Sequence, residues 1–241
     1  MTSGGRLTMT GDPLLALFDV DGTQITQGCT PGHFAVVRAT ALELYGNGAD
    51  PAAAPPFRTA GMTELQIARQ VLTDAGVTPG ADLAGEAARF CAEISCRFTC
   101  PDLSGHVIPG VPGVLAELAS DPDVVLGLVT GCAQAIAQAK LAAAGLDRFF
   151  WPPGIGGFGD DAEDRQLLVP IARRRAGGPW PRHRTLVIGD TPADIACARA
   201  DQVRCIGFAA GDYSTADLAA ADRVACDAGQ LLAAIRAEIG P

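Results

Sequence analysis

Uninterrupted apolar runs recur along the chain at Leu14 to Phe18, Val124 to Val129, Thr185 to Ile188, Val203 to Phe208 and, more weakly, Arg223 to Cys226. Runs this short, without polar alternation, predict strands buried on both faces. Between them the spacing predicts helices over Val111 to Ala119, Ala133 to Ala144, Glu163 to Ala176, Pro192 to Ala200 and Ala228 to Ile239, several ending at or beside a glycine. Strand and helix in alternation predict an α/β fold built on a doubly wound parallel sheet. The rhythm breaks from about Gln27 to Val107, where no strand signal is present. There Phe34, Val37, Ala41 and Leu44, then Leu65, Ala68 and Leu72, follow helical spacing, and Thr63 to Gln66 fits a capping box. This stretch reads as a smaller all-helical domain inserted between the first and second strands. Residues 11–26 and 108–241 would then form the α/β core, and 27–107 the insertion. Asp50 to Pro56 reads as a loop within the insertion, and Gly154 to Gly159 as a flexible stretch in the core.

Composition adds limits to this picture. A chain of 241 residues, 48% of them apolar, can bury a sizeable core without disulfides. Its net charge of −9 and pI near 4.7 leave no broad basic surface, which argues against nucleic acid as a partner. No segment has the length and apolarity of a membrane span, and Met1 to Asp12 lacks an apolar signal core, so a cytoplasmic protein is expected. The cysteines at 29, 91, 96, 100, 132, 197, 205 and 226 include no C-x-x-C pair and read as reduced packing residues. The cluster Cys91, Cys96 and Cys100 has the wrong spacing for zinc. Lys140 is the chain's only lysine.

Charge stands where the strands end. The first strand runs into Asp19-Val20-Asp21-Gly22-Thr23, the second into Thr130-Gly131, and a later one into Gly189-Asp190-Thr191-Pro192-Ala193-Asp194. Any one of these aspartates alone would be read as opening a turn or capping a helix. Together they gather at the edge of a parallel sheet where ligands bind. Clustered carboxylates repel unless a divalent cation neutralises them, and an oxygen-only cluster suits Mg²⁺, which usually completes its shell with substrate phosphate. A carboxylate beside a phosphate can act as nucleophile through an aspartyl-phosphate, and a second carboxylate two residues on can serve as acid and then base. Thr130 and Gly131 would hold the phosphoryl oxygens, and a cation must balance the remaining charge.

The order D-x-D-G-T, then T-G after an apolar strand, then a basic residue opening a helix, then G-D-x-x-x-D, resembles the haloacid dehalogenase superfamily over about Leu14 to Ile239. It looks closest to the phosphoglycolate-phosphatase-like group, with a helical cap inserted after the first motif. The resemblance implies Asp19 as nucleophile and magnesium ligand, and Asp21 as acid/base that ligates through its backbone carbonyl. It implies Thr130 as phosphoryl-binding residue, Asp190 as the main carboxylate ligand and Asp194 as support for the metal shell. Gly22, Thr23 and Gly131 would line the substrate phosphate. The family's cation is usually a lysine. Lys140 lies inside the helix directly after Thr130, the wrong position, so the role is assigned to Arg165, with Arg173 to Arg175 read as a solvated helix end. Two further departures, Gln24 in place of an apolar residue and Cys132 in place of a small polar one, are expected to leave the core chemistry untouched.

Other readings fit less well. Gly154 to Gly159 matches G-x-G-x-x-G, but it follows prolines and lacks an acidic residue about 20 positions on. A G-x-S-x-G elbow is missing, and a signalling receiver would want a lysine and no large insertion. Within the resemblance, Asp21 argues against dehalogenation and phosphonate cleavage, because those relatives lack an acid there, and Thr23 differs from the residue common in sugar phosphomutases. The expectation is a phosphatase for a small phosphorylated metabolite, phosphoglycolate or a sugar phosphate, working as monomer or homodimer. The alternatives are a β-phosphoglucomutase-like mutase, then a dehalogenase or a phosphate-binding module without turnover. Specificity would lie in the insertion, with Phe57 to Thr63 as the loop dipping into the site through Arg58 and Thr63.

Overall fold

The computed structural model describes residues 12–30, 32–46, 59–74, 76, 82–177 and 180–239. Among them, the strands β1 (Leu14–Phe18), β2 (Val124–Val129), β3 (Gly156–Gly157), β4 (Thr185–Gly189), β5 (Arg204–Phe208) and β6 (Arg223–Ala225) form one sheet. The spatial order is β3-β2-β1-β4-β5-β6, and every pairing is parallel. The strands predicted from apolar runs are therefore all present.

The strand period of two divides the core between the faces of the sheet. Leu14, Ala16 and Phe18 of β1 join one apolar cluster, while Leu15 and Leu17 join the other. The first cluster takes in Val114 and Leu118 of α4 (Val111–Ala119), Ile136 and Leu141 of α5 (Gln134–Ala143), and Leu231 and Ile235 of α8 (Ala228–Ile239). The second takes in Leu168 and Val169 of α6 (Leu168–Arg175) and Ile195 and Ala198 of α7 (Pro192–Ala200). Helices thus cover both faces, as a doubly wound sheet requires.

Three differences from the sequence reading have identifiable causes. Gly154 to Gly159 is not a loose stretch, since it contributes edge strand β3, in register with Leu128 and Val129. Glycine is needed there, because a Cβ on Gly157 would lie 2.1 Å from the carbonyl oxygen of Leu168 and one on Gly156 would lie 2.6 Å from the Phe158 ring. The helix expected from Glu163 begins as a 3₁₀ turn at Arg165–Leu167 and turns α-helical only at Leu168. This leaves Pro170 in the first α-helical turn, where its missing N–H is tolerated. Finally, Arg173 to Arg175 is not a uniformly solvated end. Arg173 pairs with Asp201 at 2.7 Å, and Arg175 reaches Asp161 at 2.5 Å and the Gly156 carbonyl at 2.9 Å.

Helices α1 (Gly32–Tyr45), α2 (Glu64–Asp74) and α3 (Leu83–Arg97) lie between β1 and α4. The chain leaves and re-enters the sheet region along paired segments, with Thr26 N donating to His106 O at 2.8 Å and Ile108 N to Gln24 O at 3.0 Å. Val37, Ile67, Val71, Phe90 and Ile94 from these helices belong to the same apolar cluster as the first sheet face. The start of α2 is fastened to the sheet's loops: Glu64 N donates to Gly131 O at 2.8 Å and Leu65 N to Gly159 O at 3.1 Å. Approach this close requires Gly131, whose Cβ would stand 2.0 Å from Met62 O. The expected capping box forms at the same place, with Thr63 Oγ1 accepting from Gln66 N and Gln66 Oε1 accepting from Thr63 N. Among the described residues, no helix is long and apolar enough to cross a membrane.

Candidate active site

The strand order reverses between β1 and β4, and ligand crevices in such sheets open beyond the carboxyl ends of the strands at that point. Asp19 follows β1, Thr130 follows β2 and Asp190 follows β4. Asp19 N still donates to Ile188 O at 2.8 Å, which fixes where its side chain begins. The chain then turns at Gly22, whose φ of +83° suits glycine and whose Cβ would stand 2.1 Å from Asp190 Oδ2. Asp194 is held from the other side by the capping box of α7, where its Oδ2 accepts from Thr191 Oγ1 at 2.7 Å and Thr191 N at 3.1 Å.

These constraints bring carboxylate oxygens of Asp19, Asp190 and Asp194 within 4.8 Å of one another, all buried. Burial first, then the Asp194 charge, pushes the Asp19 carboxyl up to about 7 from 3.8, although Arg165 pulls the other way. Burial first, then Asp19 and Asp194, pushes Asp190 up to about 8. Thr23 Oγ1 donates to Asp190 Oδ1 at 3.2 Å. An all-oxygen, buried, self-repelling donor set fits a hard divalent cation, and a hard cation would relieve the repulsion that raises these carboxyls.

Arg165 is buried, and its Nη2 donates to Asp19 Oδ2 at 3.2 Å and to Asp194 Oδ1. Its side chain therefore joins the end of β1 to the first turn of α7, where the cation assigned from the sequence should stand. Thr130 is buried beside it, with its hydroxyl accepting from Cys132 N at 3.3 Å.

The sequence reading set Lys140 aside, yet the structure places it in the same site. Helical side chains lean toward the helix N-terminus, and α5 starts right after the Thr130 loop, so a long side chain from its second turn reaches back to the sheet edge. Lys140 Nζ donates to Asp21 Oδ2 at 2.7 Å and lies 3.4 Å from Cys132 Sγ. Burial disfavours the Asp21 carboxylate, but the Lys140 ammonium outweighs it and holds the carboxyl below its ordinary value. The Cys132 thiol, pushed up by burial, donates to the same Asp21 oxygen at 3.1 Å. Gln24 is buried too, and its amide donates to the Asp19 carbonyl at 3.0 Å. Both departures that were expected to leave the chemistry untouched thus contact the aspartate pair.

Above these residues lies a cavity of about 210 Å³, lined by Asp19, Asp21, Thr130, Gly131, Cys132, Lys140 and Arg165 from the sheet side and by His33, Phe34, Met62, Glu64 and Ile67 from the helical segment. Thr63 does not line it, because its hydroxyl is engaged with the Glu163 carbonyl at 2.9 Å and with the cap of α2. Arg58 lies outside the described residues. Neither His33 nor Glu64 carried a signal in the sequence. The single lysine did, since buried lysines are nearly always paired.

Similarity to known proteins agrees with this geometry. The family model described as haloacid dehalogenase-like hydrolase matches residues 16–199. Among solved structures, a predicted phosphatase from Clostridium acetobutylicum superposes with a TM-score of 0.63 at 16% identity, covering 94% of this chain and 100% of its own. A hydrolase from Pseudomonas syringae gives 0.60 at 22% identity, covering 93% and 98%. A β-phosphoglucomutase from Clostridium difficile gives 0.61 at 16%, covering 94% and 97%. At these identities the likeness establishes the fold. No curated protein matches the sequence at significance.

Proposed function

Since the chain belongs to the haloacid dehalogenase-like hydrolases, we propose that it is a magnesium-dependent phosphomonoesterase for a small organic phosphate, working through an aspartyl-phosphate on Asp19. The observation that carries this reading is the buried group Asp19, Asp190 and Asp194 at the sheet's switch point, with Arg165 on Asp19 and a second carboxylate, Asp21, beside the same cavity. Asp19 and Asp190, with the Asp21 backbone carbonyl and Asp194 in support, would hold Mg²⁺. When bound, the ion supplies the positive charge that ionises Asp19 and draws a phosphate to it.

The protein's own groups then divide the work. Asp19 forms a bond to phosphorus as the bond to the leaving oxygen breaks, with Thr130, Gly131 and Arg165 holding the phosphoryl oxygens. Asp21 protonates the leaving oxygen, and in the second step it takes a proton from the water that cleaves the acyl phosphate, releasing inorganic phosphate and restoring Asp19. Lys140 biases Asp21 toward the carboxylate that this second step uses. Its ammonium is held charged by Asp21 and Cys132, so the proton that Asp21 passes to the leaving oxygen in the first step enters with the substrate, as the monoanion of the phosphate ester. We read α1 to α3, residues 27–107, as a cap that excludes water and contacts the leaving group. Hydrolysis of p-nitrophenyl phosphate with and without Mg²⁺, by the wild type and by Asp19→Asn, tests the reading. Turnover that requires both metal and Asp19 is expected, and activity unchanged in the variant would overturn it.

A further inference from the structure

The helical segment contributes to the cavity lining two titratable groups that the reaction above does not use, His33 and Glu64. Glu64, the first residue of α2, is 2% exposed and lines the cavity, yet its Oε1 has no hydrogen-bond donor among the described residues. His33 of α1 places Nε2 only 2.9 Å away, but the contact is not aligned for a hydrogen bond, and that nitrogen is unpartnered as well. A buried carboxylate oxygen without donors costs free energy on the order of kilocalories, which a ligand supplying O–H groups would recover. The carboxylate is also fixed relative to the chemistry, because the backbone N–H of Glu64 donates to Gly131 O at 2.8 Å, one residue from Thr130.

We propose that Glu64 and His33 form the leaving-group subsite, and that they select phosphate esters of uncharged, hydroxylated alcohols, such as polyol or sugar phosphates, over esters whose leaving group carries a carboxylate. The inference rests on the phosphomonoesterase reading and narrows its substrate class. Three observations favour it. A carboxylate and an imidazole side by side offer an acceptor and a donor at a spacing that neighbouring hydroxyls can bridge. Among the described residues lining the cavity, the arginine and lysine present are Arg165 and Lys140, each already paired with a carboxylate of the site. A leaving group such as glycolate would therefore bring its negative charge to Glu64 with no unpaired arginine or lysine among the described lining residues to receive it. Finally, Phe34 stands 43% exposed at the cavity, an apolar ring face of the kind that the C–H side of a sugar covers. An ammonium-bearing leaving group is less well matched, because the His33 ring already occupies space beside the Glu64 oxygen.

The test compares kcat/KM for ribose 5-phosphate, glycerol 2-phosphate, 2-phosphoglycolate and phosphoethanolamine, using the Mg²⁺-loaded wild type, Glu64→Gln and His33→Asn. The wild type is expected to favour the first two esters by about tenfold or more, the scale of one net hydrogen bond. In Glu64→Gln that preference over phosphoglycolate should shrink by about tenfold, mainly through KM, with His33→Asn changing it in the same direction. Melting curves verify that each variant is folded, and His33→Asn, at a partly exposed position, carries the test if Glu64→Gln does not fold. Preference for phosphoglycolate or phosphoethanolamine in the wild type, or equal losses on all esters in folded variants, would overturn the inference. Failure to hydrolyse any of these esters or p-nitrophenyl phosphate would instead overturn the phosphomonoesterase reading.

Discussion

Replacing Asp19 by Asn is expected to abolish turnover and, in metal-free protein at alkaline pH, to raise stability. The Asp19 carboxyl moves from 3.8 to about 7 on folding. Because the folded pKa lies above the unfolded one, the folded state holds more protons across that interval, and this group's contribution to stability declines as pH rises from about 4 to 7. At 1.36 kcal/mol per pKa unit the full penalty is about 4 kcal/mol above pH 7 and absent below pH 4. Asparagine removes the charge but keeps one acceptor where Asp19 uses two, for Val20 N at 2.8 Å and Arg165 at 3.2 Å. That loss, of a bond to a charged group, returns about 1–2 kcal/mol. A net gain of about 2–3 kcal/mol at pH 8 corresponds to roughly 5–10 °C in melting temperature for a chain of this size, with the gap closing near pH 5. The assay is thermal unfolding in chelator at pH 5 and pH 8, repeated with Mg²⁺, which should stabilise the wild type at pH 8 more than the variant. A variant that melts below the wild type at pH 8 without metal, or a gap that does not change with pH, would refute the argument that Asp19 is held ionised against repulsion.

Further expectations follow from neighbouring contacts. Magnesium binding at pH 7 should release between one and two protons, because carboxyls raised to about 7 and about 8 must ionise to ligate; calorimetry in two buffers of different ionisation enthalpy measures this. Lys140→Met removes the ammonium that holds Asp21 low, so the acidic limb of the kcat profile on p-nitrophenyl phosphate should move to higher pH. An unmoved limb would show that Lys140 does not position that acid/base. Gly22→Ala places a Cβ 2.1 Å from Asp190 Oδ2 at a φ of +83°, which should cost about 2 kcal/mol or more of stability and weaken Mg²⁺ affinity, both readable from melting curves across a metal titration.

The part of the site that was legible in the sequence is the part that parallel pairing fixes. Phe18 is level with Leu128 on one side and Ile188 on the other, so Asp19 stands within about one residue of Thr130 and Asp190. Once three apolar runs are recognised as neighbouring parallel strands, the residues after them must share an edge. Strand β3 escaped notice because its two residues are glycines that offer no apolar signal, and backbone crowding rather than side-chain burial dictates them. Lys140 escaped because distance along the chain was taken for distance in space. The position that looks wrong for a cation opening a helix is right for a long side chain running back along α5 to Asp21.

Glu64 and His33 show the complementary limit. Neither follows a strand, and where they point depends on how α1 and α2 sit over the sheet, which no local pattern encodes. The determinant of that placement is nonetheless in the sequence, at Gly131 and Gly159. Without a side chain at either position, Met62 O, Glu64 N and Gly131 O come within distances that a Cβ would forbid. The same glycines that leave the phosphoryl loop free of side chains let the start of α2 fasten to it, so the residue proposed to read the leaving group is held by one backbone hydrogen bond to Gly131, the neighbour of Thr130. Chemistry and selectivity are coupled through backbone contact. A bulkier residue at Gly131 should therefore disturb leaving-group preference and turnover together, whereas Glu64→Gln, which leaves the backbone contact intact, should separate them.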